Sequence, residues 1–197
     1  IYITPRRVGE DGWELSIKAL IDNADCSHKA RFTLIDADGN EKASTIADLR
    51  PIISAKLPVE DPVLWNGRKN PYLYTVRCEI FDSTTQEVTD NIDIRTGLRE
   101  YHIDSHKGFF LNGEHIKLQG VSRHQDRENM GNAITEKQHA EDVKIILDVG
   151  ANSVRLAHYQ QNSYFYDLCD ESGLLVWAEV PVISRFSPKR NENAEQQ

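Results

Sequence analysis

Residues 152–159 read Asn152-Ser153-Val154-Arg155-Leu156-Ala157-His158-Tyr159, and residues 173–178 read Gly173-Leu174-Leu175-Val176-Trp177-Ala178. Each stretch contains a short apolar run of strand type, and an amphipathic segment lies between them. That segment, from about Ser163 to Ser172, is expected to be a helix burying Phe165, Leu168 and Cys169, with Gly173 as its stop. Working upstream, Thr135 with Gln138 forms a capping box ahead of an apolar stripe of Ala140, Val143, Ile146 and Leu147, and Gly150 closes that helix. Lys117–Val121 supplies one more apolar run before it. The order strand, helix, strand, helix, strand predicts parallel strands joined by right-handed crossovers. In such sheets functional groups collect beyond the C-terminal ends of the strands.

The first half has a different period. Trp13, Leu15, Ile17, Ala19 and Ile21 alternate with polar residues, as do Tyr72, Tyr74, Val76, Cys78 and Ile80. Shorter runs lie at Phe32–Leu34, Ile53–Leu57 and Val88–Ile94, and Ile1–Ile3 also reads as strand. Turn signals such as Asp36-Ala37-Asp38-Gly39-Asn40 and Asn66-Gly67 separate them. About seven short strands without a helix predict an antiparallel sandwich, each strand with one apolar face. Its expected role is that of a spacer. From about residue 98 a hairpin follows, Tyr101–Asp104 with Phe109–Leu111, and Asn112-Gly113 forms a tight turn before Ile116–Leu118.

Composition excludes several classes. Among 197 residues, 23 Lys and Arg against 31 Asp and Glu leave a net charge of −8, so no basic field favours nucleic acid. The longest apolar run, Leu174–Ala178, is far shorter than the roughly 18 residues of a membrane span. The composition is that of a soluble chain, cytoplasmic or exported. Cys26, Cys78 and Cys169 lie far apart, which suits neither a disulfide scaffold nor a zinc ribbon. Residue 1 is Ile rather than Met, and the polar stretch Ser187–Gln197 has no terminating element, so the sequence is read as an excerpt of a longer protein.

The strand ends carry Ser122-Arg123-His124-Gln125-Asp126, then Arg155-Leu156-Ala157-His158-Tyr159, then Glu179. Two histidines, two arginines and carboxylates on one rim are poor core fillers. His124, His158 and Glu179 are possible zinc ligands by residue type, but the His-x-His pair common on the first strand of barrel metallohydrolases is absent. Ser122 lies in no Gly-x-Ser-x-Gly elbow. No glycine-rich phosphate loop occurs. Asp126 and Glu128 are expected on a solvated loop, and Glu179 alone is not the carboxylate pair of glycoside chemistry.

The run Asn152–Tyr159, continued by Phe165-Tyr166, Asp170, Gly173 and Leu174–Trp177, resembles the first signature of glycoside hydrolase family 2. Leu118-Gln119-Gly120-Val121-Ser122-Arg123-His124-Gln125 resembles the family's Gly-Val-Asn-Arg-His-Glu segment. Trp65 with Asn70-Pro71-Tyr72-Leu73-Tyr74 is similar to the end of its immunoglobulin-like domain, and Gly97-Leu98-Arg99 to the entry into its barrel hairpin. The resemblance implies a multi-domain chain. An immunoglobulin-like β-sandwich would span residues 1–97, and the first three strands and two helices of a (β/α)8 TIM barrel would occupy residues 98–197. The sequence departs from the family pattern at Leu156, where a small residue is usual, and at Gln160, where Pro is usual. Ser122 replaces Asn and Gln125 replaces Glu.

The implied activity is that of a retaining β-glycosidase, foremost a β-galactosidase, with β-glucuronidase or β-mannosidase as alternatives. A non-catalytic carbohydrate-binding or structural module with a vestigial barrel half is the reading from another class. The acid/base and nucleophilic glutamates of the family belong to later strands, and Asn191-Glu192 lacks the aromatic strand that precedes the family's Asn-Glu motif. The chain alone is therefore expected to be inactive. By resemblance, His124 and His158 would bind sugar hydroxyls, Arg155 would keep the nucleophile ionised, and Glu179 would be either a partner beneath the site or an ordinary paired carboxylate. No cofactor is implied. The magnesium ligands of some relatives correspond to Ile183 and Arg185, which do not ligate magnesium. The implied partners are a carbohydrate and the remainder of the same polypeptide. Alone, the chain is expected to self-associate through the barrel half, by packing of the sheet face that barrel closure covers or by edge pairing between copies.

Overall fold

The computed structural model describes residues 1–9, 12–25 and 27–181. Cys26, Ile183, Arg185, Asn191-Glu192 and the polar stretch from Ser187 lie outside the described residues. The chain forms two compact units: residues 1–66 with 72–115, and residues 67–71 with those from Ile116 onward.

The first unit holds seven long strands: β1 (Tyr2–Val8), β2 (Gly12–Leu20), β3 (His28–Ile35), β4 (Glu41–Asp48), β5 (Ile52–Glu60), β6 (Tyr74–Asp82) and β7 (Val88–Thr96). They form two antiparallel sheets with strand orders β1-β2-β5 and β4-β3-β6-β7. Period-two patterning gives each sheet an apolar inner face, so Trp13, Leu15 and Ile17 of β2 meet Phe32 and Leu34 of β3, Leu57 of β5 and Val76 of β6 in one core. Tyr74 is buried at the start of β6, and its hydroxyl accepts the Val63 N–H at 2.8 Å. The Asp36 turn forms as its sequence directs, with the Asp36 carboxylate accepting the N–H groups of Asp38 and Asn40 and Gly39 at φ +86°.

Two sequence expectations need correction here. β4 is missing from the apolar runs because its inner positions, Ala43, Thr45 and Ala47, are small and only half-buried at the edge of the sheet. β7, at the opposite edge, has no fully buried residue, and Ile92 remains 51% exposed. An edge strand has a partner on one side only, so its inner positions need less apolar bulk. A three-stranded sheet follows, β8 (Tyr101–Asp104), β9 (Gly108–Leu111) and β10 (Glu114–Ile116), turning at Asn112-Gly113 as expected.

The second unit contains parallel strands β11 (Gly120–Arg123), β12 (Ser153–Leu156) and β13 (Leu175–Ala178), with helices α1 (Glu136–Asp148) and α2 (Ser163–Ser172) as crossovers. Val154 and Leu156 of β12 pack against Val143 and Ile146 of α1 and Phe165 and Cys169 of α2. The opposite sheet face carries Ser122, Arg155 and Trp177, aligned across the three strands.

The first of these strands starts later than the apolar run suggests, at Gly120 rather than Lys117. Asn152 accounts for the shift. Its side chain accepts the Gln119 N–H at 2.8 Å and donates to the Lys117 carbonyl at 2.9 Å, and its backbone N–H donates to the Gln119 carbonyl at 2.8 Å, so residues 117 and 119 are bonded to Asn152, the residue just before β12. Gly120 then lies so close to Ser153 that a Cβ there would stand 2.8 Å from its carbonyl oxygen.

The capping box of α1 forms. Its apolar stripe differs: Ala140 is exposed, and His139 is buried with Val143 and Ile146. Among the described residues no helix is long and apolar enough to cross a membrane.

Candidate active site

The strand register sets the site. Arg123, Leu156 and Ala178 are the last aligned residues of β11, β12 and β13. The next residues therefore leave the sheet at one level, and they include His124, His158 and Glu179. The His124 and His158 rings meet edge to face at 5.4 Å, and Tyr159 lies 6.2 Å from His124. The Ala157–His158 peptide bond is cis.

Glu179 connects two of these groups. Its Oε1 accepts Arg155 Nε at 2.5 Å, and its Oε2 lies 2.9 Å from His158 Nδ1. A carboxylate only accepts, so Nδ1 of His158 carries the hydrogen, and Nε2 is the ring nitrogen left open to a ligand. The Arg155 hydrogen bond, reinforced by His158, holds the Glu179 carboxyl below its ordinary value. Glu179 is thus an ionised, doubly bonded carboxylate with its side chain one-fifth exposed. Gln160, which departs from the family pattern, donates Nε2 to the Glu179 carbonyl at 3.2 Å and accepts the Tyr166 hydroxyl at 2.6 Å.

All four residues singled out in the sequence, His124, Arg155, His158 and Glu179, stand together at this end of the sheet. Arg123, read in the sequence as part of the rim, does not join them. It is buried among the helices, where its guanidinium binds Asp142, His139 and Gln161 and covers the Phe165 ring at 3.9 Å. Strand alternation explains this: Arg123 shares the helix-facing side with Leu156, whereas Arg155 points the other way. Asp142, His139 and Gln161 are the contributors that the motifs did not expose. His139 had a legible signal, because residues 139, 143 and 146 follow helical spacing.

Among the described residues no group of three or more His, Cys, Asp or Glu side chains is placed to hold a metal, so the set of His124, His158 and Glu179 does not form one.

A sandwich is followed along the chain by parallel strands joined by crossover helices, with polar groups massed at the strand ends, the arrangement with which a β/α barrel begins. Residues 1–99 match the family model for glycosyl hydrolases family 2, and residues 103–197 match the model for the TIM barrel domain of that family. The chain belongs to glycosyl hydrolases family 2. It is 37% identical over 190 residues to a β-glucuronidase of Bacteroides fragilis, covering 93% of this chain and 27% of that protein. It is 31% identical to a β-galactosidase of Thermoanaerobacter pseudethanolicus, covering 92% and 25%. The crystal structure of Bacteroides uniformis β-glucuronidase superposes with a TM-score of 0.87 at 29% identity, covering 99% of this chain and 25% of that one. The chain spans about a quarter of the length of the curated relatives it matches.

Proposed function

We propose that this chain contributes the entry side of the sugar site in a retaining β-glycosidase acting on terminal β-linked hexopyranosides. The observation that supports the reading best is Glu179 bound at once by Arg155 and His158, beside the His124 ring. His158, fixed with its hydrogen on Nδ1, offers Nε2 to a sugar hydroxyl, and His124 offers a second polar edge. Such bonds tighten as the ring flattens toward the oxocarbenium ion. Arg155, nearly half exposed and anchored through Nε, turns its remaining N–H groups toward a nucleophilic carboxylate and favours the ionised form. In a retaining mechanism that carboxylate and the acid/base stand about 5–5.5 Å apart.

A galactoside is the substrate implied by the sequence motifs. A glucuronide is the second reading, favoured by the higher identity to a β-glucuronidase, 37% against 31%. Purified full-length enzyme carrying this chain, assayed with p-nitrophenyl β-galactoside and β-glucuronide, separates the two, and turnover of neither removes the glycosidase reading. The 197-residue chain alone turns over neither, and activity there that is lost on mutating a residue within it would contradict this. The same chain self-associates through the sheet face bearing Trp177, which is 61% exposed. Light scattering after size exclusion decides it, since a monomer near 22.5 kDa at micromolar concentration is the contrary result.

A further inference from the structure

The His124 ring makes no hydrogen bond among the described residues. Its ring neighbours are His158 and Tyr159. Its place is therefore set by the backbone on either side of it, and that backbone is fixed from both ends by a single carboxylate on α1. Asp142 Oδ2 accepts Nε and Nη2 of Arg123 at 3.0 and 2.8 Å, and Asp142 Oδ1 accepts Nη2 of Arg127 at 2.7 Å. Arg127 is held further by Glu141 Oε2 at 2.7 Å and by the Gln138 carbonyl at 3.1 Å. Residues 123 and 127 bracket His124, so Asp142 spans the segment that carries it.

The same segment is tied to the loop that carries His158. The Arg123 carbonyl accepts the Ala157 N–H at 3.0 Å and Gln161 Nε2 at 3.1 Å, while Gln161 Oε1 accepts Arg123 Nη1. The Gln125 N–H donates to the Tyr159 hydroxyl at 3.0 Å, and Gln125 Oε1 accepts the Asn162 N–H at 2.7 Å. The two loops are thus joined at residues 123 and 125 on one side and at residues 157, 159, 161 and 162 on the other.

We propose that Asp142 is a positioning residue, which sets the His124 to His158 spacing by holding Arg123 and Arg127. The inference rests on the glycosidase reading for its consequence and on the hydrogen-bond geometry for its cause. Asp142 itself touches neither ring and forms no part of the sugar site. It acts because a buried arginine held at once through Nε, Nη1 and Nη2 has one position, and a displacement of about 1 Å at a binding group costs on the order of 100-fold in rate.

The test uses full-length enzyme carrying this chain, with rates expressed per active site counted by a mechanism-based glycosyl inactivator. A loss of folded enzyme does not move that quantity. Asp142→Asn is expected to lower kcat/KM per active site about 10- to 100-fold, and Asp142→Glu, which keeps the charge, to recover part of it. In the 197-residue chain, Asp142→Asn is expected to shift the imidazole signals of His124 and His158 and to weaken the ring-to-ring NOE. An unchanged kcat/KM per active site in Asp142→Asn, beside a loss in His124→Ala, overturns the positioning role and leaves the glycosidase reading standing. A wild type without glycosidase turnover removes the reading instead, and the NOE then decides the positioning role, retention overturning it. Removing one partner of a buried ion pair is costly. Should Asp142→Asn fail to fold, Arg127→Gln, at a partly exposed side chain, is expected to show a smaller loss in the same direction, and no change there overturns the proposal.

Discussion

Nδ1 of His158 stands 2.9 Å from Oε2 of Glu179, and this single distance fixes which face of the imidazole is available to a ligand. With the hydrogen committed to Glu179, the 3.4 Å approach of Arg155 Nη2 to the same Nδ1 has no lone pair to donate to and is a packing contact. The other carboxylate oxygen holds Arg155, so one glutamate orients two functional groups.

Removing Arg155 should release that carboxylate. In Arg155→Met, the Glu179 carboxyl is expected to titrate higher than in the wild type, because the guanidinium hydrogen bond is the main cause of its lowered value. The sign follows. A carboxyl lowered by folding contributes stability above its ordinary value of 4.5, and the contribution is lost as pH falls through the folded value. Carboxyl carbon NMR of Glu179 across pH 2–6 reads this directly, and coincident curves for the two proteins would contradict it.

His158→Ala in the full-length enzyme should lower kcat/KM about 10- to 100-fold, the worth of roughly 1.5–3 kcal/mol for a hydrogen bond that strengthens in the transition state. An unchanged kcat/KM would leave His158 with only a structural part.

Gly97 has no space for a side chain. A Cβ there would stand 2.8 Å from Trp65 Cβ and 3.0 Å from Cγ, and Trp65 is fully buried. Gly97→Ala is therefore expected to destabilise the first unit by about 1–3 kcal/mol. Urea unfolding followed by tryptophan fluorescence measures this, and an unshifted midpoint would show that the indole has room to move.

Burial, together with the Arg123 cation, lowers the pKa of His139. Arg123 donates to its Nδ1 at 3.0 Å, so the ring is neutral with its hydrogen on Nε2. A histidine buried neutral contributes stability above its unfolded value of 6.5. That stability is lost as pH falls below 6.5, because the unfolded chain then binds a proton that the folded chain refuses. The melting temperature of the wild type should accordingly fall between pH 7.5 and 5.5. In His139→Gln, whose amide oxygen still accepts from Arg123, the fall should be smaller. Equal slopes in the two proteins would dismiss the effect.

The sequence by itself determined the two kinds of layer. The alternation of Trp13, Leu15 and Ile17 makes a sheet face, and Thr135 with Gln138 starts a helix; both are local patterns that one segment carries alone. It also placed His124, His158, Arg155 and Glu179 near strand ends, because parallel strands joined by crossovers put their C-terminal ends on one side. The tertiary structure decided what each polar residue touches. Arg123 and Arg155 are both arginines at the ends of apolar runs, yet one is sealed among the helices against Asp142 and the other faces away from them against Glu179. That division depends on a register across strands that begin more than 30 residues apart, starting at Gly120 because Asn152 occupies the bonds before it. A shift of one residue in that register exchanges the faces, and no local pattern reports it.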